Sequence, residues 1–351
     1  MSFLPQSRGL PCGLPRTMPV FGFRCLWLSG LLLALLGAGC APESEDAAPS
    51  DADLASAQAQ PEDGAPPWWS ALPRTGWADF ERVELAADQD WFEVYRVAPG
   101  TWAILEPGQW QEVISWLIEG EERALLFDTG LGIGDIAALA GALTERPVTV
   151  LNSHSHFDHV GGNHRFERIS GPDLPYARDN ARGGTNDEAM DNLFADGAIW
   201  MPLPEGFDER SFRTEPWTVT ESVRDTQRID LGDRTLEVLL TPGHAPDALC
   251  LFDPLHGILF VGDTFYPAPL YAHLEGADHE AYRASAARLA ELAPRVELVA
   301  TGHNEPVIGG AILNELHGAF EAVAAGTAAF EERDGNRVHD FGSFSIITAA
   351  P

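Results

Sequence analysis

The sequence predicts an α/β fold, a sandwich made of two similar halves. Three observations predict it. Short apolar runs of strand length recur along most of the 351 residues. A few segments carry apolar residues at helical spacing instead. The order strand meander, helix, strand occurs twice, as two halves of one layered domain require. The hydrophobic fraction of 45% is that of a chain with a sizeable core.

The elements follow in chain order. Residues 1–39 read as a signal peptide: Arg8, Arg16 and Arg24 precede "LWLSGLLLALLGAGC", and no acid appears before Glu43. The apolar run is too short to span a bilayer comfortably. Translation from Met18 gives the more ordinary signal-peptide opening "MPVFGFRCLWLSG". The run ends at Cys40 and resembles the lipobox of bacterial lipoproteins, although Gly37 stands where that motif has an aliphatic residue. The resemblance implies lipidation of Cys40 and a membrane-anchored protein facing the periplasm or the cell exterior. Ala41, which is not the aspartate linked to inner-membrane retention, leans towards the outer membrane. A plain cleaved signal is the other reading. Residues 40–67 are rich in Ala, Pro, Ser, Asp and Glu, the composition of a disordered acidic tether. The folded domain is expected over 68–351.

Strands are expected at "FEVYRVA", "TWAILE", "EVISWLIE" and "ALLFD", close enough together for an antiparallel or mixed sheet. "IGDIAALAGAL" reads as helix and "VTVLNS" as a buried strand. Residues 165–220 are irregular, with one helix at "NDEAMDNLFADGA" (186–198). Strands resume at "TQRID", "RTLEVLLT", "ALCLFD" and "GILFVGD". A helix over "DHEAYRASAARLAELA", a strand at "VELVATGH", a long helix from Ile308 to Glu332 and a closing strand in "VHDFGSFSIIT" complete the pattern.

The formal charge is −31, from 22 basic and 53 acidic residues. This excludes a basic footprint for nucleic acid and charge-driven docking on anionic lipid, and leaves a small-molecule substrate and a lipid anchor as the expected contacts. Cys12 and Cys25 lie in the removable segment. If Cys40 carries lipid, Cys250 alone remains, and its apolar setting "DALCLFD" reads as a buried thiol.

The chemistry concentrates in "LNSHSHFDHVGGN". In extended chain, residues two apart face the same way, so His154, His156 and Asp158 are expected to face one point and His159 another. The two glycines are expected to turn the chain sharply away. Imidazoles with a carboxylate suit zinc, iron or manganese. Three further polar residues each follow an apolar strand and adjoin or closely follow a glycine: His244 in "TPGHAPDAL", Asp263 in "LFVGDTFY" and His303 in "LVATGHNEP". A rigid sheet with ligands on its strand-end loops is what a metal site needs.

"HSHFDH", followed by His244, Asp263 and His303 in this order and spacing, resembles the metallo-β-lactamase superfamily of hydrolases over residues 90–310. The resemblance implies a four-layer αββα sandwich with a two-metal site at one edge. It implies that His154, His156 and His244 hold one divalent ion, that Asp158, His159 and His303 hold a second, and that Asp263 bridges them. Zinc is the expected metal, with iron or manganese as alternatives. The implied activity is that of a dinuclear hydrolase, in which a metal-bridging hydroxide attacks an ester, lactone, thioester or amide carbonyl. Asp158 would align that nucleophile and pass its proton to the leaving group. Two other readings stand beside it: a mononuclear iron sulfur dioxygenase of the same fold, and a non-catalytic metal-binding lipoprotein.

Several residues carry two readings each. Asp128 in "LLFDTGLG" either orients a ligand or caps a helix. Tyr266, three residues after Asp263, resembles the tyrosine that handles the substrate carbonyl in acyl-homoserine lactonases, or else packs beneath the site. Trp200, Met201, Phe207, Phe212 and Trp217 either line an apolar pocket or fill a core. Among substrates, the absence of basic residues between Asp263 and Arg283 counts against thioesters of an anionic thiol, Asp263 counts against β-lactams, and the charge counts against nucleic acids.

Overall fold

Side chains alternate across a strand, so each strand of a buried sheet feeds two different cores, and here that alternation sorts the molecule into layers. The computed structural model describes residues 75–86, 89–184 and 193–350. The signal segment, Cys40, the tether and residues 186–192 of the helix expected at 186–198 lie outside them.

The first sheet has eight strands in sequence order: β1 (Glu81–Val83), β2 (Glu93–Ala98), β3 (Thr101–Leu105), β4 (Ile114–Glu119), β5 (Ala124–Phe127), β6 (Val148–Leu151), β7 (Ile169–Pro172) and β8 (Glu221–Val223). It is antiparallel up to β5 and parallel from there to β8. Helices α1 (Ile136–Leu143), α2 (Phe157–Val160) and α3 (Pro175–Asn180) fall in the connections. Asp135 caps α1, its Oδ1 accepting from the Ala138 amide at 3.0 Å.

The chain continues with β9 (Arg228–Asp230), β10 (Thr235–Leu240), β11 (Leu249–Asp253), β12 (Ile258–Phe260), β13 (Pro269–Tyr271), α4 (His279–Leu292), β14 (Leu298–Ala300), β15 (Val307–Gly309) and α5 (Ile312–Ala324). All these strands but β13 form a second sheet, in the order β15-β14-β12-β11-β10-β9. The C-terminal strands β16 (Glu331–Arg333), β17 (Asn336–Asp340) and β18 (Ser345–Ala349) join β13 in a small third sheet, in which β13 runs parallel to β18.

Three cores separate four layers. Between the two large sheets lie Trp116, Ile118 and Phe127 from one and Val238, Leu251 and Phe260 from the other. The alternate residues Leu117 and Leu126 point the other way, onto Ile136 and Leu139 of α1. On the far side, Leu239, Cys250, Phe252 and Leu259 meet Tyr282, Leu289, Leu316 and Phe320 of α4 and α5. The fold is thus the αββα sandwich expected, with Cys250 fully buried.

Two expected elements change. The helix expected from Ile308 to Glu332 covers only 312–324. Ile308 pairs with Val299 in the second sheet, and Gly326, at φ +66°, ends the helix before β16 begins. The single closing strand is a hairpin, β17 pairing with β18 from Asn336↔Ala349 to Asp340↔Ser345. Within the segment 165–220, the sequence also concealed β7 and α3.

Candidate metal centre

The site lies where the strands of both sheets end. His154 follows β6, His244 follows β10, Asp263 sits in a single 3₁₀ turn after β12, and His303 follows β14. An isolated antiparallel bridge between Val113 and His303, with the Ile114 amide donating to the Gly302 carbonyl at 2.8 Å, ties the approach to β4 in the first sheet to the His303 loop of the second.

All seven residues expected to bind metal are brought together. Ligand-type atoms of His154, His156 and His244 lie within 4.8 Å of one another, as do those of His154, His159 and Asp263, and those of Asp158, His159 and His303. The chain does not stay extended through the cluster as expected. Asp158 and His159 belong to the single helical turn α2, and that turn, rather than strand alternation, sends Asp158 and His159 to the same side as His303. The glycines also act differently from expectation. Gly161 (φ −57°) and Gly162 (φ −90°) have ordinary right-handed backbone. What they provide is space: a Cβ on Gly161 would lie 2.2 Å from the Leu131 carbonyl, and one on Gly162 would lie 2.6 Å from Ile136 Cγ2.

The remaining nitrogen of each histidine is held from outside the cluster, which fixes the ring. His159 Nδ1 meets Asp128 Oδ2 at 2.9 Å, and His154 Nδ1 meets Ser153 Oγ at 3.0 Å. His244 Nδ1 meets the Tyr271 carbonyl at 3.1 Å, and His303 Nδ1 the Gln111 carbonyl at 2.8 Å. His156 is turned the other way: Nδ1 lies 3.0 Å from His244 Nε2, and Nε2 meets Tyr176 Oη at 2.9 Å. Gln111 Nε2 donates to Asp158 Oδ2 at 2.7 Å. The two readings of Asp128 are decided by these contacts. Its carboxylate accepts from His159 and, at 2.6 Å, from the Ser153 amide, and the helix cap is Asp135.

Buried polar atoms normally find a partner. His154 Nε2, His159 Nε2 and Asp263 Oδ1 are buried with no hydrogen-bond partner. Asp263 Oδ1 is nevertheless 3.1 Å from His159 Nε2 and 3.0 Å from His303 Nε2. Ligand-type atoms this close, turned towards one another without hydrogen-bond geometry, share a common focus. A donor set of five imidazoles and two carboxylates around such a focus fits divalent transition metals such as zinc.

The electrostatics agree. Burial pushes His154, His156 and His244 below the ordinary histidine range, leaving neutral rings with a lone pair to donate. Burial acts on His159 too, but the carboxylates of Asp263, Asp158 and Asp128 outweigh it and raise His159 well above that range. Burial likewise opposes the charge on Asp263, but His303 and His159 hold its carboxyl well below the usual range. In the protein alone, therefore, positive charge is drawn to the same point where a cation would sit.

Tyr266 is buried, with its ring centroid 4.9 Å from that of His303 in an edge-on contact. Burial, reinforced by Asp263, keeps its phenol well above the usual range and so protonated. Trp217 is in the core against α1, and Met201, Phe207 and Phe212 pack onto that core, in line with the core-filling reading; the Trp200 indole donates to the Pro107 carbonyl at 2.5 Å. Gln111 and Tyr176 were not singled out from the sequence. Neither lies in a motif, and only the fold brings them to Asp158 and His156.

The model of the metallo-beta-lactamase superfamily matches residues 109–303. Among curated proteins, the chain is 35% identical over 199 residues to the acyl-coenzyme A thioesterase MBLAC2 of Gallus gallus, covering 54% of this chain and 71% of that protein. It is 28% identical over 143 residues to the hydroxyacylglutathione hydrolase of Maricaulis maris, covering 41% and 43%. Among solved structures, a metallo-beta-lactamase family protein of Thermus thermophilus matches with a TM-score of 0.48 and 23% identity, over 66% of this chain and 82% of that one.

Proposed function

The chain belongs to the metallo-β-lactamase superfamily of hydrolases, and on that premise we propose that it hydrolyses thioesters with two divalent metal ions, zinc foremost. The observation that carries the dinuclear reading is the overlap of the three ligand groups through His154 and His159, with partnerless nitrogens on both and a carboxylate between them. The thioester is favoured over lactone, oxoester and amide because two different relatives are named as thioester hydrolases. Those names outweigh the lack of basic residues before Arg283.

When bound, the ions supply an activated water and Lewis acidity for the substrate carbonyl. The chain supplies the rest. Asp158, fixed by Gln111, accepts the proton of the attacking water and returns it to the departing sulfur. Tyr266, kept protonated, donates a hydrogen bond to the carbonyl oxygen as it gains negative charge. Asp128 and the Tyr271 and Gln111 carbonyls hold the histidine rings, so the site does not have to reorganise during the reaction. Export and lipidation at Cys40 remain part of the proposal on the strength of the first forty residues, and a Cys40→Ala variant that leaves the membrane fraction would test them.

The test is hydrolysis by the zinc-loaded full chain of matched thioesters, oxoesters, lactones and β-lactams, beside His159→Ala. Thioester turnover that the variant loses supports the proposal. Turnover of another class alone replaces the substrate. No turnover with zinc, but oxygen uptake on a persulfide with iron, returns the oxygenase reading.

A further inference from the structure

The helix α3 carries Tyr176 and Asn180 four residues apart, so both side chains leave the same face. Both reach the ligand turn. Tyr176 Oη lies 2.9 Å from His156 Nε2, and Asn180 Nδ2 donates to Ser155 Oγ at 2.9 Å. Ser155 lies between His154 and His156, so one short helix grips the turn that presents both of these residues.

His156 is the one ring of the cluster that turns Nε2 outward: the other four present Nδ1 to their outside partners. His244 Nδ1 faces a backbone carbonyl, which only accepts, so that nitrogen carries the proton and Nε2 keeps the lone pair. His156 presents Nδ1 to the same place, 3.0 Å away. For both nitrogens to donate to one ion, the proton of His156 must sit on Nε2. The atom there to accept it is the Tyr176 oxygen. Nothing in the ring itself selects this tautomer.

Resting on the proposed ligand set, we infer that Tyr176 is a positioning residue: its hydroxyl fixes His156 as an Nδ1 ligand and thereby sets the affinity of the His154–His156–His244 site. The tyrosine ring has a separate structural task. It packs so closely on Gly276 that a Cβ there would stand 3.0 Å from Tyr176 Cε2. Tyr176→Phe keeps this packing and removes only the hydroxyl.

The experiment loads the full-length wild type and Tyr176→Phe with cobalt(II), whose absorption reports each site, and withdraws the metal with a chelator. His156→Ala and His303→Ala identify which spectral component belongs to which site, and thermal melts of the metal-free proteins check folding. The expected result is that Tyr176→Phe releases the metal of the His156 site at about 10- to 100-fold lower chelator strength, with the other site unchanged. Equal retention of both metals by variant and wild type overturns the inference and leaves the function intact. Retention of both metals with a raised KM also overturns it, placing Tyr176 on the substrate instead. A wild type that binds no metal overturns both the inference and the function.

Discussion

Asp128 accepts two hydrogen bonds with one carboxylate, from the ring of His159 and from the Ser153 amide, and does so at φ +67°. Asparagine also tolerates that left-handed backbone but offers one acceptor oxygen instead of two. Asp128→Asn is therefore expected to weaken metal retention by about 10- to 100-fold through a misdirected His159, measured by competition with a chelator. Unchanged retention would show that His159 needs no outside partner. At this scale the sequence was legible for residues in dense motifs or beside glycine at strand ends, which is how His154, His156, Asp158, His159, His244, Asp263 and His303 were found. It was silent on Gln111 and Tyr176. Gln111 stands 47 positions from the Asp158 it holds and Tyr176 stands 20 from His156, with no local pattern to betray either contact.

Single elements were read well where burial was continuous. Strands such as β3, β4, β5 and β11 are buried almost throughout, and their apolar runs made them recognisable. Among the short strands, those with a clear apolar run such as β12 and β14 were recognisable, whereas β16 is exposed at all three residues and reads as polar chain. The turn α2 was missed because four residues leave no periodicity. Its exit past Gly161 depends on close contact with the Leu131 backbone. Gly161→Ala is expected to cost about 1–3 kcal/mol, the usual penalty of overpacking, since the backbone cannot move aside as a side chain would. A thermal melt of the metal-free protein would register this as a lowered Tm. A melt like that of the wild type would mean that the Leu131 loop yields freely.

Across the whole molecule, the two large sheets are joined by more than apolar packing. Arg234, between β9 and β10, binds Asp253 of β11 at 2.6 Å through Nη2 and reaches over to the Gly100 carbonyl at 2.9 Å and Thr101 Oγ1 at 2.8 Å beside the first sheet. Both charged groups are buried. Arg234→Ala leaves the Asp253 carboxylate buried without its partner, although His256 still meets it, and is expected to cost about 3–5 kcal/mol in urea unfolding. A much smaller loss would show that water or His256 takes over. The layered architecture was legible because two rounds of strand and helix imply two halves; the third sheet was not, because β13 and β18 pair across more than seventy residues. The halves matter for the proposed function, since each contributes candidate ligands and neither brings all seven. Whether hydrolysis needs two metals at this junction is decided by titrating the metal-free full chain with zinc while following both bound metal and thioester turnover. A two-metal site predicts activity that rises with the second equivalent and ends at two ions per chain. Full activity at one equivalent, with no further binding, would contradict it.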